Sequence, residues 1–397
     1  MFTPEAEKAR LAPQLVAFRR ELHRQPELSL CEERTAAAIV REIAPLGLTI
    51  RSGVGGHGVI ADLAGAFPGP TVALRADIDA LPIVENTGLP FTSQHDGVMH
   101  ACGHDAHTTV LLGALKLLAA AKDRLHGNVR FLFQPAEEIL AGAAPMIAAG
   151  ALDGVSEIYG LHILPSLPAG RIASTPGTFM AAIDRLDIVV EGRGGHGSMP
   201  EQCIDPIVAA AAVVTGLQTA VSREVHPLEP AVVSLGTING GTANNIIPDR
   251  VALSGTVRTL SEEVRAAMPE RIERLTRLIA EAHRCRVTVA YQRQVPPVVN
   301  NAACEAKLRR TAERTIGGER IVSCKPSMGG EDFALYAERI PGCFFWLGSG
   351  GPDAGSHSPG LHNAQMVVDE SCLMVGVTLF TELALGLLDG SGESQDA

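Results

Sequence analysis

The sequence predicts an α/β protein: a mainly parallel sheet flanked by helices, with a ferredoxin-like βαββαβ domain inserted into it. Three observations lead there. β-rich runs at 57–63, 71–76, 128–133 and 157–162 alternate with helical patterns at 4–25, 30–45 and 106–121. Alternation of this kind favours parallel strands joined by right-handed crossovers. The texture then changes between 182 and 297, and the α/β pattern returns after 298. A chain of 397 residues also exceeds what one compact core usually holds. The expected organisation is therefore a discontinuous domain, 1–181 with 298–397, interrupted by an inserted domain, 182–297.

Within the insert, 183–191 alternates as a half-exposed strand, with Ile183, Leu186, Ile188 and Val190 apolar and Asp184, Asp187 and Glu191 between them. Asp205-Pro206 opens an Ala/Val-rich helix to about 225, Asp being a good cap and Pro a good first-turn residue. Runs at 231–238 and 250–258 read as strands, Ser261-Glu262-Glu263 starts a helix to about 283, and 285–291 closes as a strand. That order, βαββαβ, belongs to a ferredoxin-like sandwich. Thr175-Pro176-Gly177 and Val295-Pro296-Pro297 read as hinges on either side. Beyond them come a helix at 303–315, a strand at 343–347, a closing helix at 369–388 and a frayed Gly/Ser/Asp tail.

Composition narrows the function. Aromatics make up 4% with one Trp, too few for stacking platforms, and a net charge of −11 repels polyphosphates, so nucleic acid is not an expected partner. No apolar run approaches the roughly 20 residues that cross a bilayer. Residues 1–20 are charged and amphipathic and lack the apolar centre of a signal peptide, so a cytoplasmic location is expected. The 8 cysteines are scattered without a CxxC pair, the pattern of buried free thiols. Cys102 keeps different company.

The chemically informative residues lie just past the ends of expected strands. Asp77-Ile78-Asp79-Ala80-Leu81-Pro82 follows 71–76, and His100-Ala101-Cys102-Gly103-His104-Asp105-Ala106-His107 precedes a helix. Gln134-Pro135-Ala136-Glu137-Glu138 follows 128–133, His162 ends another run, and Ser356-His357 to His362-Asn363 lies near the C-terminus. Thiolate, imidazole and carboxylate are common ligands of zinc-like cations. Cys102-x-His104 suits an extended loop whose alternate side chains face one way. Adjacent Glu137 and Glu138 point differently, so one can bind metal while the other moves protons. Each piece alone has a plain reading: a hydrogen-bonded His, a buried Cys, a solvated helix start. Their joint occurrence at strand ends favours metal-assisted hydrolysis.

These motifs carry a resemblance. With Leu22 to Ser29, 74–82, 99–109, 134–138, 160–162, Gly194-Gly195-His196-Gly197-Ser198-Met199-Pro200, 245–249, 328–333 and 360–363, the chain resembles the metallo-aminohydrolases related to aminoacylase and carboxypeptidase G over essentially its whole length. The nearest subgroup is that of hippurate hydrolase, bacterial N-acyl-amino-acid amidohydrolases and plant auxin-conjugate hydrolases. The resemblance implies a binuclear-zinc exopeptidase-like catalytic domain whose two divalent ions (Zn, Mn, Ni or Co) are held by Cys102, His104, Glu138, His162 and His362. It implies Glu137 as general base and Asp79 as a carboxylate orienting a ligand imidazole. Many relatives have a ligand His where this chain has Asp77, which leaves open whether Asp77 touches metal; Asp105 is either a further ligand or the helix cap.

The resemblance implies that the inserted domain is a lid or dimerisation domain whose His196 reaches the active site of a second subunit and stabilises an oxyanion, hence a homodimer or higher oligomer. Asn245 is similar to a family residue that binds the substrate carboxylate or carbonyl. Arg258 has a fork suited to a carboxylate, with a surface place on a strand as the other reading, and Gly330 is expected to line the pocket. The activity implied is hydrolysis of the amide of an N-acyl-L-amino acid, hippurate-type, to a carboxylate and an amino acid. The alternatives are an N-acetyl-amino-acid or N-acetyl-diaminopimelate deacetylase, or a dipeptidase. A catalytically silent scaffold would be missing a ligand or the base, and here all are present.

Overall fold

A computed structural model describes residues 5–390, so the C-terminal tail expected to fray lies largely outside the described residues. The chain divides into two compact units. The larger contains the residues up to Gly177, Val299–Lys325 and those from Asp332 onward; the smaller is Thr178–Val298 with Pro326–Glu331. That short segment departs from the expected boundary at 298. It joins the smaller unit because Ser327 and Gly329 carbonyls both accept from the Ala181 amide, at 3.0 and 2.9 Å.

In the larger unit, eight described strands form one sheet in the order Thr49–Val54, Gly58–Ala64, His126–Gln134, Phe67–Asp77, Val155–Pro168, Gly342–Gly350, Ile172–Ser174, Ile321–Ser323. Its centre is parallel: Phe67–Asp77 pairs in parallel with His126–Gln134 and with Val155–Pro168, which pairs in parallel with Gly342–Gly350. Parallel register brings their carboxyl ends to one edge, with Asp77 opposite Gln134 and His162 opposite Trp346. Ligands of α/β proteins bind at such edges. The His104–Ala120 helix is apolar nearly all round and is buried over almost its whole length, as such a helix must be. It packs against Glu5–Arg24 and Ser371–Leu387.

In the smaller unit, four antiparallel strands lie in the order Ala231–Gly240, Arg250–Thr259, Ala182–Glu191, Arg286–Val295. The helices Pro206–Ser222 and Glu262–Ala282 share their core. Leu186, Ile188 and Val190 point inward, and so does Asp184, which has their parity and is 1% exposed. Its carboxylate accepts from Arg265 Nη2 at 2.7 Å and from the Tyr291 hydroxyl at 2.8 Å. Asp205 accepts from the Ile207 and Val208 amides and Ser261 from the Val264 amide, so both helix starts are capped.

Candidate metal centre

Five side chains from four separate stretches converge at the carboxyl edge of the larger unit's sheet. Cys102 Sγ lies 3.2 Å from His162 Nε2 and 3.3 Å from His362 Nε2. His362 Nε2 is 3.3 Å from Glu138 Oε2, and His104 Nε2 is 3.7 Å from Glu138 Oε1. Ligand atoms of Cys102, His104 and His162 lie within 4.8 Å of one another, as do those of Cys102, Glu138 and His362, so two three-ligand sets share one thiol. Glu137 is buried and groups in the same way with His104 and Glu138.

Local chain geometry brings this about. Gly103 precedes the His104–Ala120 helix at φ +82°, and a Cβ there would lie 2.1 Å from Ile163 Cδ1, so only glycine lets Cys102 and His104 approach the strand that carries His162. His362 also has positive φ, +62°, and its amide donates to the Ala101 carbonyl at 2.8 Å.

Hydrogen bonds set the imidazole tautomers. His162 Nδ1–H donates to the Ile163 carbonyl at 2.8 Å, leaving the Nε2 lone pair toward Cys102. His104 Nδ1–H donates to Asp79 Oδ1 at 3.0 Å. His104 Nε2 and Glu138 Oε1 are both buried without a hydrogen-bond partner. Two such orphaned atoms facing one another are costly unless something bridges them. A divalent cation fits: both are ligand atoms, and the surroundings are anionic. Burial opposes charge on His104, yet Asp77, Asp79 and Glu138 push its pKa up to about 10. The field that favours a proton there equally favours a metal ion. Burial, then Glu138, Glu137 and Asp77, pushes the Cys102 thiol well up, so a thiolate needs added positive charge.

Asp79 is anchored further by Ser29 Oγ, which donates to Oδ2 at 2.7 Å, and by the Glu138 amide, donating at 3.1 Å. Asp77 groups with His104 and His107 in a further possible ligand set, but both of its oxygens are already engaged. Its Oδ2 is held by Arg75 Nη1 at 2.7 Å and its Oδ1 by His107 Nδ1 at 2.6 Å. Among the described residues, Asp105 is outside every possible ligand set and is not the cap: Gly103 holds the cap position, and Asp105 Oδ2 is ion-paired with Arg19 Nε at 2.7 Å and accepts from His23 Nδ1 at 2.8 Å. Burial works against that carboxylate, but Arg19 and His23 hold it far below the usual range.

Sequence reasoning passed over His107. Its Nδ1–H goes to Asp77 and its Nε2 accepts from the Ile163 amide at 2.8 Å, so the ring is neutral and fully engaged. The signal was its position three residues after His104, on the same helix face.

The four remaining residues lie in the smaller unit, and the structure sorts them into two pairs. His196 and Asn245 meet: Ile246 pairs with His196, and the Gly197 amide donates to the Asn245 carbonyl at 2.8 Å. His196 Nδ1 accepts from the Ser198 amide at 3.1 Å and hydroxyl at 2.9 Å, so its proton sits on Nε2 and the ring is a donor there. Arg258 and Gly330 belong to the other end of the sheet, where Arg258 pairs with Ile183 and a Cβ on Gly330 would meet Ile183 at 2.2 Å. Arg258 Nε donates to Thr256 Oγ1 at 3.1 Å. From Arg250 to Arg258 the strand runs roughly 25 Å.

A parallel sheet with a Cys/His/Glu cluster at its carboxyl edge, orphaned ligand atoms and a buried carboxylate beside them defines a metal-dependent hydrolase. Comparison with known proteins makes the class specific. The model of peptidase family M20/M25/M40 matches residues 73–386, and the chain belongs to that family, whose members hydrolyse amide bonds. The chain is 43% identical to N-acetyl-L-cysteine deacetylase of Bacillus subtilis, covering 97% of this chain and 91% of that protein. It is 39% identical to IAA-amino acid hydrolase ILR1-like 2 of Arabidopsis thaliana, covering 94% and 85%. The crystal structure of the Bacillus subtilis YXEP protein, described as a dinuclear metal binding peptidase, superposes with a TM-score of 0.83 at 40% identity, covering 96% and 99%. Among the described residues no helix is long and apolar enough to cross a membrane.

Proposed function

We propose that this protein hydrolyses the amide bond of an N-acyl-L-amino acid of the hippurate type, releasing a carboxylate and a free amino acid. The observation that carries the reading is the shared-thiol pair of ligand sets with Glu137 buried against them. Cys102, His104, Glu138, His162 and His362 would hold two divalent ions. Such ions, when bound, polarise the acyl carbonyl and acidify a water molecule. Glu137 takes the proton of the attacking water and later returns it to the leaving amide nitrogen. Asp79 keeps His104 in the tautomer whose Nε2 is a ligand. His196 donates a hydrogen bond from Nε2–H to the carbonyl oxygen as charge builds there. Arg258 holds the substrate carboxylate, with Gly330 lining the pocket, while Asn245, beside His196, contacts the substrate of a second copy. In a dimer, His196 would serve a second copy's site.

Deacetylation of N-acetyl-amino acids is the second reading, favoured by the similarity to N-acetyl-L-cysteine deacetylase. The two differ in acyl-pocket size. Turnover of hippurate beside N-acetyl-amino acids, after metal stripping and re-supply of zinc, manganese, nickel or cobalt, tests both. Metal-dependent hippurate cleavage upholds the proposal; cleavage of the acetyl compounds alone replaces it with the second reading.

A further inference from the structure

We infer that Glu32, more than 100 residues from the ligands Glu138 and His162 in sequence, is a positioning residue that holds the Glu137–Glu138 turn in a backbone conformation it would otherwise leave. Glu32 is wholly buried, and its Oε1 accepts from two amides, Leu30 at 2.9 Å and Ala136 at 2.8 Å. Both donors are left-handed: φ is +66° at Leu30 and +53° at Ala136. Residues with a Cβ rarely adopt that region, and they keep it where the surroundings impose it. Ala136 is the residue immediately before Glu137. Returning its φ to about −60° would redirect every atom that follows, and Glu137 and Glu138 are first in line.

Other backbone groups of the turn are committed as well. The Ala136 carbonyl accepts from the Ala141 amide at 3.0 Å and the Glu137 carbonyl from the Leu140 amide at 2.7 Å. The Glu138 amide is tied to Asp79, whose same oxygen accepts from Ser29. One short segment, Ser29 to Glu32, thus grips the turn at two places: through Asp79 at Glu138 and directly at Ala136. Glu32 Oε2 has no hydrogen-bond partner, so a second acceptor oxygen is not what the position requires. Burial pushes the Glu32 carboxyl up, and glutamine is therefore a close replacement that keeps the accepting oxygen.

The inference rests on the reading of Glu137 as base and Glu138 as ligand, and its test separates the two. Four variants are compared with wild type: Glu32→Ala, Glu32→Gln, Ala136→Gly and the double variant Glu32→Ala/Ala136→Gly. For each, kcat, KM, zinc affinity by chelator competition and thermal midpoint are measured. Glu32→Ala is expected to lower kcat about a hundredfold, the scale of a 1 Å misplacement. It should weaken zinc about tenfold or more, with KM little changed. Glu32→Gln should stay within about fivefold of wild type. Glycine takes positive φ freely, so the double variant should recover about fivefold over Glu32→Ala in both kcat and zinc affinity. Where Glu32→Ala fails to fold, Glu32→Asp carries the test: its carboxylate is withdrawn by one methylene, and kcat should fall at least about tenfold. A variant that loses thermal stability alone, with wild-type kcat and zinc affinity, overturns the inference and leaves the proposed function standing. Loss and recovery of zinc affinity in a protein that cleaves no amide would uphold the inference and sink the functional reading.

Discussion

Replacing Asp79 by asparagine tests how the metal centre is held. The Asp79 carboxylate accepts three hydrogen bonds, from Ser29 Oγ at 2.7 Å, His104 Nδ1 at 3.0 Å and the Glu138 amide at 3.1 Å. An asparagine has one accepting oxygen. If that oxygen keeps His104 in its ligand tautomer, the NH2 group faces the other two donors. Ser29 can turn its hydroxyl round to accept. The Glu138 amide cannot, and it belongs to a proposed ligand residue. One buried donor is then left without a partner, which costs about 1–3 kcal/mol. At about 1.4 kcal/mol per tenfold, that predicts a loss of roughly tenfold to a hundredfold in metal affinity. The assay is zinc binding by competition with a chelator of known affinity, with folding checked by circular dichroism. Zinc affinity within twofold of wild type in a folded Asp79→Asn protein would refute the argument that Asp79 orients His104 and Glu138.

Further outcomes follow from buried charges elsewhere. Arg75 is fully buried between Asp77, Asp332 and Gln134, at 2.7, 3.0 and 2.9 Å, so Arg75→Leu leaves two carboxylates uncompensated. It should destabilise the protein by about 3–5 kcal/mol, read as a thermal midpoint lower by about 6 °C or more. Asp184→Ala removes the buried partner of Arg265, leaving it only the exposed Glu262, and should also lower the midpoint, whereas Asp205→Ala, loss of a helix cap, should cost only about 1 kcal/mol. His23 gives a pH signature. Burial opposes its charge, but Asp105 and Glu85 outweigh both burial and the nearby Arg19, so its pKa is raised. The unfolded value is about 6.5. The charged form's stabilisation is therefore fully present below that value and is lost as pH rises through the folded pKa. Thermal midpoints of wild type and His23→Gln should converge as pH rises above about 6.5; a constant gap would count against it.

The parts of this molecule that were legible in the sequence are those written in short range. Strand-end motifs such as Cys102-x-His104 and Glu137-Glu138 carry their own chemistry, and runs of apolar residues mark the central parallel strands and the His104–Ala120 helix. What escaped depends on partners far along the chain. Asp105 looked like a cap because Arg19 and His23 lie more than 80 residues earlier. Asp184 looked like an exposed position because the 2-residue period says which face it shares with Leu186 but not that Arg265 awaits it there. Thr49–Val54 is an edge strand rich in polar residues and glycine, with no buried alternation to reveal it. Glu32 and Ala136 are ordinary residues until their backbone torsions are known.

The account's central claim is metal-assisted amide hydrolysis with Glu137 as the base, and Glu137→Gln tests it most directly. Bound metal per chain and turnover of hippurate and N-acetyl-amino acids are measured on the same preparations of variant and wild type. The account predicts unchanged metal content and a loss of at least about a hundredfold in kcat. Wild-type turnover at full metal occupancy would contradict it.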